Sequence, residues 1–334
     1  MTGVRHLEVT EDEAGLRLDR WFKSHFPQLG HGRLAKMLRT GQIRLDGRRA
    51  KAGDRVAAGQ SVRIPPLDSP ADSPAPASRN IQSGFSDKDI KLLENNIIYQ
   101  DKDVLVLNKP SGLATQGGSK TTRHLDGLLA AWAQAQRPPQ ARPKLVHRLD
   151  RDTSGVLVAA RTDLAARRLT AAFRGGTAEK TYWAVTRGVP APAEGRVHDR
   201  LAKRRIGGQE KMVADETGKM AETLYRVLAR VARRAALVEF RPLTGRTHQI
   251  RAHALALGTP ILGDARYSDR DLDAPLLQRG GEALARPRLH LHARRLVISH
   301  PRGGMIDITA PLPPHMTDTC AFLGLDANLA EAGV

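Results

Sequence analysis

The chain has a single cysteine, no long apolar run and no apolar signal core, and each absence excludes a class of protein. One cysteine among 334 residues, Cys320, cannot build a disulfide framework or a multi-cysteine zinc site. No apolar run approaches the ~20 residues that a membrane helix needs, so we expect no membrane span. The acidic residues Glu8, Glu11, Asp12 and Glu13 are unlike an organelle transit peptide, so we expect a cytoplasmic protein.

Acidic residues are also scarce. The chain has 35 Asp and Glu against 53 Lys and Arg, a formal net charge of +18. Such an excess attracts polyanions, because Lys and Arg neutralise phosphates and release counterions. Nucleic acid is therefore the leading partner class, although an Arg-rich composition without any ligand would have the same charge. The length predicts two units, one of them large.

Several motifs of common enzymes are missing. The sequence has no Walker loop, no dinucleotide-binding glycine fingerprint and no nucleophile elbow. The histidines His248, His253, His290 and His292 invite a metal-site interpretation, but no acidic residue stands at ligand spacing nearby. We interpret them as structural or RNA-facing histidines and predict neither a metal nor a cofactor.

Residues 15–65 predict a small helix-helix-strand unit whose second helix ends at Gly41. Eight basic residues against two acids lie between Arg33 and Arg55. On a helix, Arg33, Lys36 and Arg39 would share one face. A solvated helix face would look similar, but the lack of interleaved acids on this face favours nucleic-acid binding.

The segments "LRLDRWF" and "GRLAKMLRTGQIRLDGRRAKAGDRVAAGQSVRI" resemble an S4 (α-L) domain, a small RNA-binding module. The resemblance implies an S4 domain over residues 1–65. Its expected RNA-binding residues are Arg33, Lys36, Arg39, Arg44 and Arg48. Residues 66–86 are rich in Pro, Ser and Ala and predict a flexible linker.

Residues 87–325 mix strand and helix patterns. We predict a hairpin around residues 101–103 and a helix capped by Asp163 and stopped by Gly175 and Gly176. Several strand candidates follow one another without intervening helices, which favours an α+β domain with a largely antiparallel mixed sheet. The order of residues 276–288 is left open.

The stretch "HRLDRDTSG" lies between the apolar lead-in "PKLV" and the predicted buried strand "GVLVAAR". Polar loops held between core strands are common places for sites. Neighbouring guanidinium groups keep an aspartate ionised, so Asp150, at the end of the strand-like "LVHRLD", could be an anionic nucleophile. A structural Asp–Arg pair is the more common fate of such carboxylates, and the local sequence allows it for Asp150 and for Asp152.

A second polar stretch, "PLTGRTHQIRAHALALG", predicts a helix that begins near Thr247. His248 and Arg251 would lie on one face of this helix. An arginine on a rigid helix can hold a carboxylate bidentately, or it can merely cover the helix end.

These two stretches, with "VLNKPSGLATQGG" and "EKTYWAVTRG", resemble the pseudouridine synthases of the RluA-like family. The S4-like segment makes members acting on large-subunit (23S) ribosomal RNA the expected relatives. The resemblance implies a pseudouridine synthase catalytic domain that needs no cofactor or metal. It implies Asp150 as the nucleophile, Tyr182 as a platform for the target base, Arg251 as the partner of Asp150, and Arg148 in nucleotide flipping.

Two other functions stay open at this point. The chain could be an RNA-binding ribosome-assembly protein in which catalysis is secondary, or a metal-dependent hydrolase that uses the histidines. We expect a monomer whose partner is ribosomal RNA.

Overall fold

The structure, a computed structural model, describes residues 3–67, 85–118, 121–268 and 288–325. The chain divides into two compact units, Met1–Gln82 and Ser83–Val334. The boundary falls inside the predicted linker 66–86, most of which lies outside the described residues. The segment 276–288 also lies outside them, except for Arg288. No helix in the described ranges is long and apolar enough to cross a membrane.

The first unit packs two short helices on a small antiparallel sheet. Its helices are α1 (Leu18–His25) and α2 (His31–Arg39), and its strands are β1 (Arg5–Glu8), β2 (Arg44–Leu45), β3 (Arg48–Arg49) and β4 (Ser61–Ile64), in the order β1-β4-β2-β3. The amphipathic helices bury Trp21 and Phe22 from α1 and Leu34 from α2 against Val62. Their polar faces therefore remain in solvent.

The second unit is built on a sheet of eleven described strands. The strands are β5 (Ile97–Gln100), β6 (Val104–Lys109), β7 (Lys144–Leu145), β8 (Ser154–Ala160), β9 (Glu179–Arg187), β10 (Glu194–Ile206), β11 (Gln209–Ala214), β12 (Lys219–Val231), β13 (Ala235–Pro242), β14 (Leu291–Ser299) and β15 (Met305–Thr309). The order is β11-β10-β12-β13-β9-β14-β8-β6-β5, with β15 beside β14 and β7 beside β8.

The helices of the second unit are α3 (Asp87–Glu94), α4 (Leu125–Ala135), α5 (Asp163–Gly175), α6 (Gln249–Ala256) and α7 (Pro314–Leu323). Helix α4 buries Leu125, Leu128 and Trp132 in a cluster with the β6 and β8 side chains Leu107 and Leu157. On the other side of the same strands, Val106 and Val158 pack with Leu169 of α5. The sheet is thus covered on both faces near β8, and the α+β prediction is confirmed.

Strand β14 joins the two halves of the sheet. It pairs in parallel with β8 and antiparallel with β9. The β14–β8 pair is the one parallel pair among the described strands. The contact with β8 is very close at Gly155, where φ is +110° and an added Cβ would lie 2.2 Å from the carbonyl oxygen of Ala293. Only glycine fits there, which explains the last residue of "HRLDRDTSG".

Three local predictions were wrong. The side chain of Thr162, not Asp163, caps α5 by accepting a hydrogen bond from the Ala165 amide. The strand before Asp150 ends at Leu145 instead of continuing through "HRLD". Helix α6 begins at Gln249, because His248 adopts a left-handed conformation at the cap position. The predicted hairpin around residues 101–103 is confirmed by the pairing of β5 and β6.

Candidate active site

Asp150 lies in a tight turn between β7 and β8. The Thr153 amide donates to the Asp150 carbonyl at 3.2 Å, which closes the turn. The Asp150 carboxylate is 22% exposed and faces a cavity of about 300 Å³. It therefore combines a fixed backbone with an accessible side chain.

The end of β6 and the loop after it hold this turn by its carbonyl groups. Four donors of this segment reach three carbonyl oxygens of the turn. Thr115 Oγ1 donates to Leu149 at 2.6 Å, and Ser111 Oγ donates to Asp152 at 2.7 Å. Lys109 Nζ and the Gly112 amide both donate to Arg151, at 3.0 and 2.9 Å. Buried carbonyl groups need such partners. Together with the Thr153 bond, these contacts satisfy the carbonyls of all four residues from 149 to 152.

Lys109 is the only fully buried lysine of the described chain and sits under the turn. Its Nζ donates to the carbonyl groups of Pro110, Leu113 and Arg151 at 2.8, 2.9 and 3.0 Å. Burial lowers the pKa of Lys109 to about 7, while Asp152 and Asp150 act in the opposite direction. Three carbonyl acceptors match the three N–H groups of an ammonium ion, so these contacts favour the charged form.

Arg251 reaches the site from α6, but its main partner is Asp264. Its Nε and Nη2 atoms donate to the two Asp264 oxygens at 2.7 and 2.6 Å, and both side chains are buried. The remaining Nη1 lies 3.8 Å from Asp150 Oδ2. Burial alone would lower the pKa of Arg251, but the Asp264 pair raises it above its usual value. The predicted pairing of Arg251 with Asp150 is therefore present as a long ion pair, and Asp264, which the sequence did not reveal, is the shorter partner that fixes the guanidinium.

His248 also approaches Asp150, with Nε2 3.7 Å from Oδ2. Its Nδ1 lies 3.1 Å from the hydroxyl of Tyr267, a residue that follows Asp264 in the chain. Burial lowers the pKa of His248, against the influence of Asp150. The imidazole is therefore neutral near pH 7.

Tyr182 lines the same cavity from β9. Its ring packs among residues of β8 and β13, and burial, followed by the nearby Asp150 charge, raises the pKa of its hydroxyl. The hydroxyl stays protonated at neutral pH. A half-buried ring at the wall of a cavity can stack on a planar base.

Comparison with known proteins identifies the family. Residues 103–256 match the family described as RNA pseudouridylate synthase. The chain is 37% identical over 318 residues to "Ribosomal large subunit pseudouridine synthase C" of Vibrio cholerae, covering 94% of this chain and 95% of that protein. The chain belongs to the RNA pseudouridylate synthase family. The protein of the same name from Escherichia coli is 37% identical over 312 residues, covering 92% of this chain and 93% of that protein.

A solved structure agrees with this assignment. "Human RNA Pseudouridylate Synthase Domain Containing 4" superposes with a TM-score of 0.60 at 30% identity, covering 70% of this chain and 95% of that chain. The fold of the catalytic unit is thus that of a pseudouridylate synthase, and the enzyme is an isomerase.

Other residues singled out by the sequence take different positions in the synthase. Arg148 is exposed beside the cavity and has no hydrogen bond or ion pair with any described residue. Asp152 pairs with the neighbouring Arg151 at 3.1 Å, in solvent. His290 and His292 lie in the core, with hydrogen bonds to Thr319 and Ser154 respectively.

The predicted RNA-binding residues of the first unit are all exposed. Arg33, Lys36 and Arg39 lie on the outer face of α2, opposite the buried Leu34 and Leu38. Arg44 and Arg48 are exposed on the hairpin formed by β2 and β3, and Arg44 donates to the carbonyl groups of Gly41 and Gly47. The structure thus brings these basic groups onto the surface of one small unit.

Proposed function

We propose that this protein converts specific uridines of large-subunit (23S) ribosomal RNA into pseudouridine, with Asp150 as the nucleophile. The observation that carries the proposal is the Asp150 carboxylate, held by a fully hydrogen-bonded turn at the wall of a cavity that also contains Tyr182 and Arg251. The relatives named above are large-subunit enzymes by name, which supports the choice of RNA.

The reaction is an isomerisation that these side chains can support. The N1–C1′ bond of uridine breaks, a C5–C1′ bond forms, and the proton on C5 is lost while N1 gains one. A carboxylate can attack C6 of the base or C1′ of the ribose, or it can remove a sugar proton on the way to a glycal. The three routes share one requirement, which is an ionised carboxylate next to the base.

The target uridine must leave the base stack to reach this carboxylate. Arg148 is exposed at the cavity and can fill the space that the nucleotide vacates, while Tyr182 offers a face to the uracil. The cavity that holds these side chains has a volume of about 300 Å³. We further propose that the protein acts as a monomer.

We further propose that the first unit is an S4 domain that captures RNA. Its support is the set of exposed basic groups on α2 and on the β2–β3 hairpin. Phosphate contacts of this kind add affinity without base specificity. The net charge of +18 is consistent with such a role.

The test is a modification assay on transcribed 23S RNA, with pseudouridines mapped by sequencing. Asp150→Asn should abolish pseudouridine formation, because an amide is a poor nucleophile, whereas the matched variant Asp152→Asn should retain it. Equal pseudouridine yield from the wild type and Asp150→Asn would refute the assignment of Asp150.

A complementation experiment distinguishes the proposed enzyme from the alternative, an RNA-binding ribosome-assembly protein. If catalysis is secondary, Asp150→Asn supports normal growth and neutralisation of Arg33, Lys36 and Arg39 does not. The reverse ranking is expected from the enzyme proposed here.

A further inference from the structure

His248 has a backbone conformation that non-glycine residues seldom adopt. Its φ and ψ are +51° and +21°, at the start of α6. The other non-glycine residues of the described chain with positive φ, Asp46 and Ala232, lie in hairpin turns. A left-handed conformation costs about 1 to 2 kcal/mol, and such strain is found where the surrounding structure holds a side chain for a purpose.

The hydrogen bonds around His248 determine its tautomer. The Met212 amide donates to the Tyr267 hydroxyl oxygen at 2.8 Å, so the hydroxyl proton is available for another acceptor. The nearest such acceptor is Nδ1 of His248 at 3.1 Å. A neutral imidazole that accepts at Nδ1 carries its proton on Nε2. Tyr267 is buried, and burial raises its pKa, so it remains a donor.

The protonated Nε2 faces the carboxylate of Asp150. His248 Nε2 and Arg251 Nη1 lie 3.7 and 3.8 Å from the same oxygen, Oδ2. The other oxygen, Oδ1, has no hydrogen bond from any described residue. Both distances are longer than a hydrogen bond, so the interaction is electrostatic: two N–H-bearing groups that face Oδ2 favour one orientation of the carboxylate and leave Oδ1 with its lone pairs available.

We propose that His248 is a positioning residue, whose Nε2–H and the Arg251 guanidinium together hold one oxygen of Asp150 so that the other oxygen is the one that reacts. The proposal rests on the proposed function of Asp150. It assigns a role to His248, to the hydroxyl of Tyr267 and to the left-handed backbone at the start of α6, none of which the sequence motifs explained.

The charges around the imidazole are consistent with a neutral donor. Asp150 and Asp264 would favour an imidazolium, while Arg251, Arg266 and burial oppose it, and burial has the largest effect. A neutral imidazole that faces Asp150 adds no second positive charge to that of Arg251, and a second charge would weaken the carboxylate as a nucleophile. The protein therefore orients the carboxylate at little cost to its reactivity.

The kinetic test uses two replacements of His248. Asparagine tolerates the left-handed conformation but is too short to reach Asp150. His248→Asn should lower kcat by roughly 10- to 100-fold, the value of one hydrogen bond to a charged group, because a long contact in the free enzyme can tighten in the complex. KM for the RNA should stay within about threefold, because His248 acts on Asp150 and not on the RNA. The longer amide of His248→Gln can donate from the position of Nε2 and should restore part of kcat.

Two kinetic outcomes would overturn the proposal. One is a raised KM with unchanged kcat, which would make His248 an RNA contact. The other is an equal loss of kcat in the Asn and Gln variants, which would indicate a structural role alone. Thermal unfolding of each variant, measured alongside, corrects for any loss of folded enzyme.

The second measurement does not depend on activity. Side-chain ¹⁵N–¹H correlation spectra of the free protein should show His248 as the neutral Nε2–H tautomer, with the signal assigned by its absence in His248→Asn. In Tyr267→Phe the Nδ1–H tautomer should become populated, because the hydroxyl donor is gone. An Nδ1–H tautomer in the wild type would refute the role of His248, whether or not the protein makes pseudouridine. If the wild type shows the Nε2–H tautomer but makes no pseudouridine, only the proposed function is refuted.

Discussion

Arg33, Lys36 and Arg39 of α2 are exposed to solvent. In the catalytic unit, Arg251 is instead buried, and it donates hydrogen bonds to both carboxylate oxygens of Asp264. Mobile surface cations suit a polyanion whose phosphates can be met in many ways. A reacting carboxylate needs groups fixed within a fraction of an ångström. The same residue type is therefore exposed in one unit, where we propose that it captures RNA, and buried in the other, where it faces the carboxylate of Asp150.

The largest effect is expected where the catalytic turn joins β14. Gly155→Ala would place a Cβ 2.2 Å from the Ala293 carbonyl oxygen, so the free energy of unfolding should fall by more than about 4 kcal/mol. Gly303→Ala is the matched control, since its φ of +105° is similar but no atom lies within 4 Å. Gly303→Ala should lower the free energy of unfolding by about 1 to 3 kcal/mol, from backbone strain alone. Equal losses in chemical denaturation would show that the close approach of the strands is unimportant.

The second largest loss of stability is expected at the buried ion pair of Arg251 and Asp264. Asp264→Asn leaves the Arg251 guanidinium buried without its counter-charge and should cost about 3 to 5 kcal/mol of stability, with a loss of kcat. Asp307→Asn is the control, because Arg295 and Asp307 form the same bidentate geometry, at 2.7 and 2.6 Å, on the surface. That change should cost no more than about 1 kcal/mol. Similar losses in urea denaturation would contradict the importance of burial.

A smaller effect is expected from one hydroxyl under the catalytic turn. Thr115→Val keeps the side-chain shape but leaves the buried Leu149 carbonyl without its donor, at a cost of about 1 to 3 kcal/mol. Thr317→Val removes an exposed hydroxyl that donates to the Pro313 carbonyl and should change stability by less than about 0.5 kcal/mol. If thermal unfolding does not separate the two variants, the turn does not depend on this contact.

The smallest effect is expected from changes on α2, which should weaken RNA binding only modestly at moderate salt. Replacing Arg33, Lys36 and Arg39 together by Gln should leave kcat at saturating RNA unchanged and weaken binding. The slope of log affinity against log salt should become shallower by about 2 to 3, at 0.7 to 0.9 for each phosphate contact. Arg17→Gln serves as the control, since Arg17 is a basic residue of the same unit that lies before α1 and outside α2. An unchanged slope would remove α2 from the RNA interface.

Much of the fold follows from patterns visible in the sequence. The runs that became β6 and β8 are mostly apolar and are buried except at Asn108, so the sequence predicts them as core strands. The strands β10 and β11 were missed, because most of their residues are exposed, many are charged, and they show no regular alternation with apolar residues. Helix α4 was missed although it is strongly apolar, since nothing in a short apolar run distinguishes a buried helix from a strand.

The site was predicted in part. Asp150 and Arg251 were expected near each other, on the strength of the two motifs and the family resemblance, and they lie 3.8 Å apart. The partner Asp264 was missed, because it follows Gly263 and reads as a turn residue. Its contact with Arg251 depends on the path of the chain after α6, which no local pattern reveals. The role of Lys109 was missed for a related reason: a lysine at the end of a strand is expected in solvent, and only tertiary structure buries it.

The central position of β14 has a consequence for how the enzyme is made on the ribosome. Asp150 precedes β8 in one half of the sheet, while Tyr182 of β9 and Arg251 of α6 belong to the other half, and β14 is the strand between β8 and β9. Because Leu291–Ser299 follows all three site residues in the chain, the growing polypeptide can form both halves before it can join them. The two halves of the active site can therefore be joined only after nearly all of the chain has been translated.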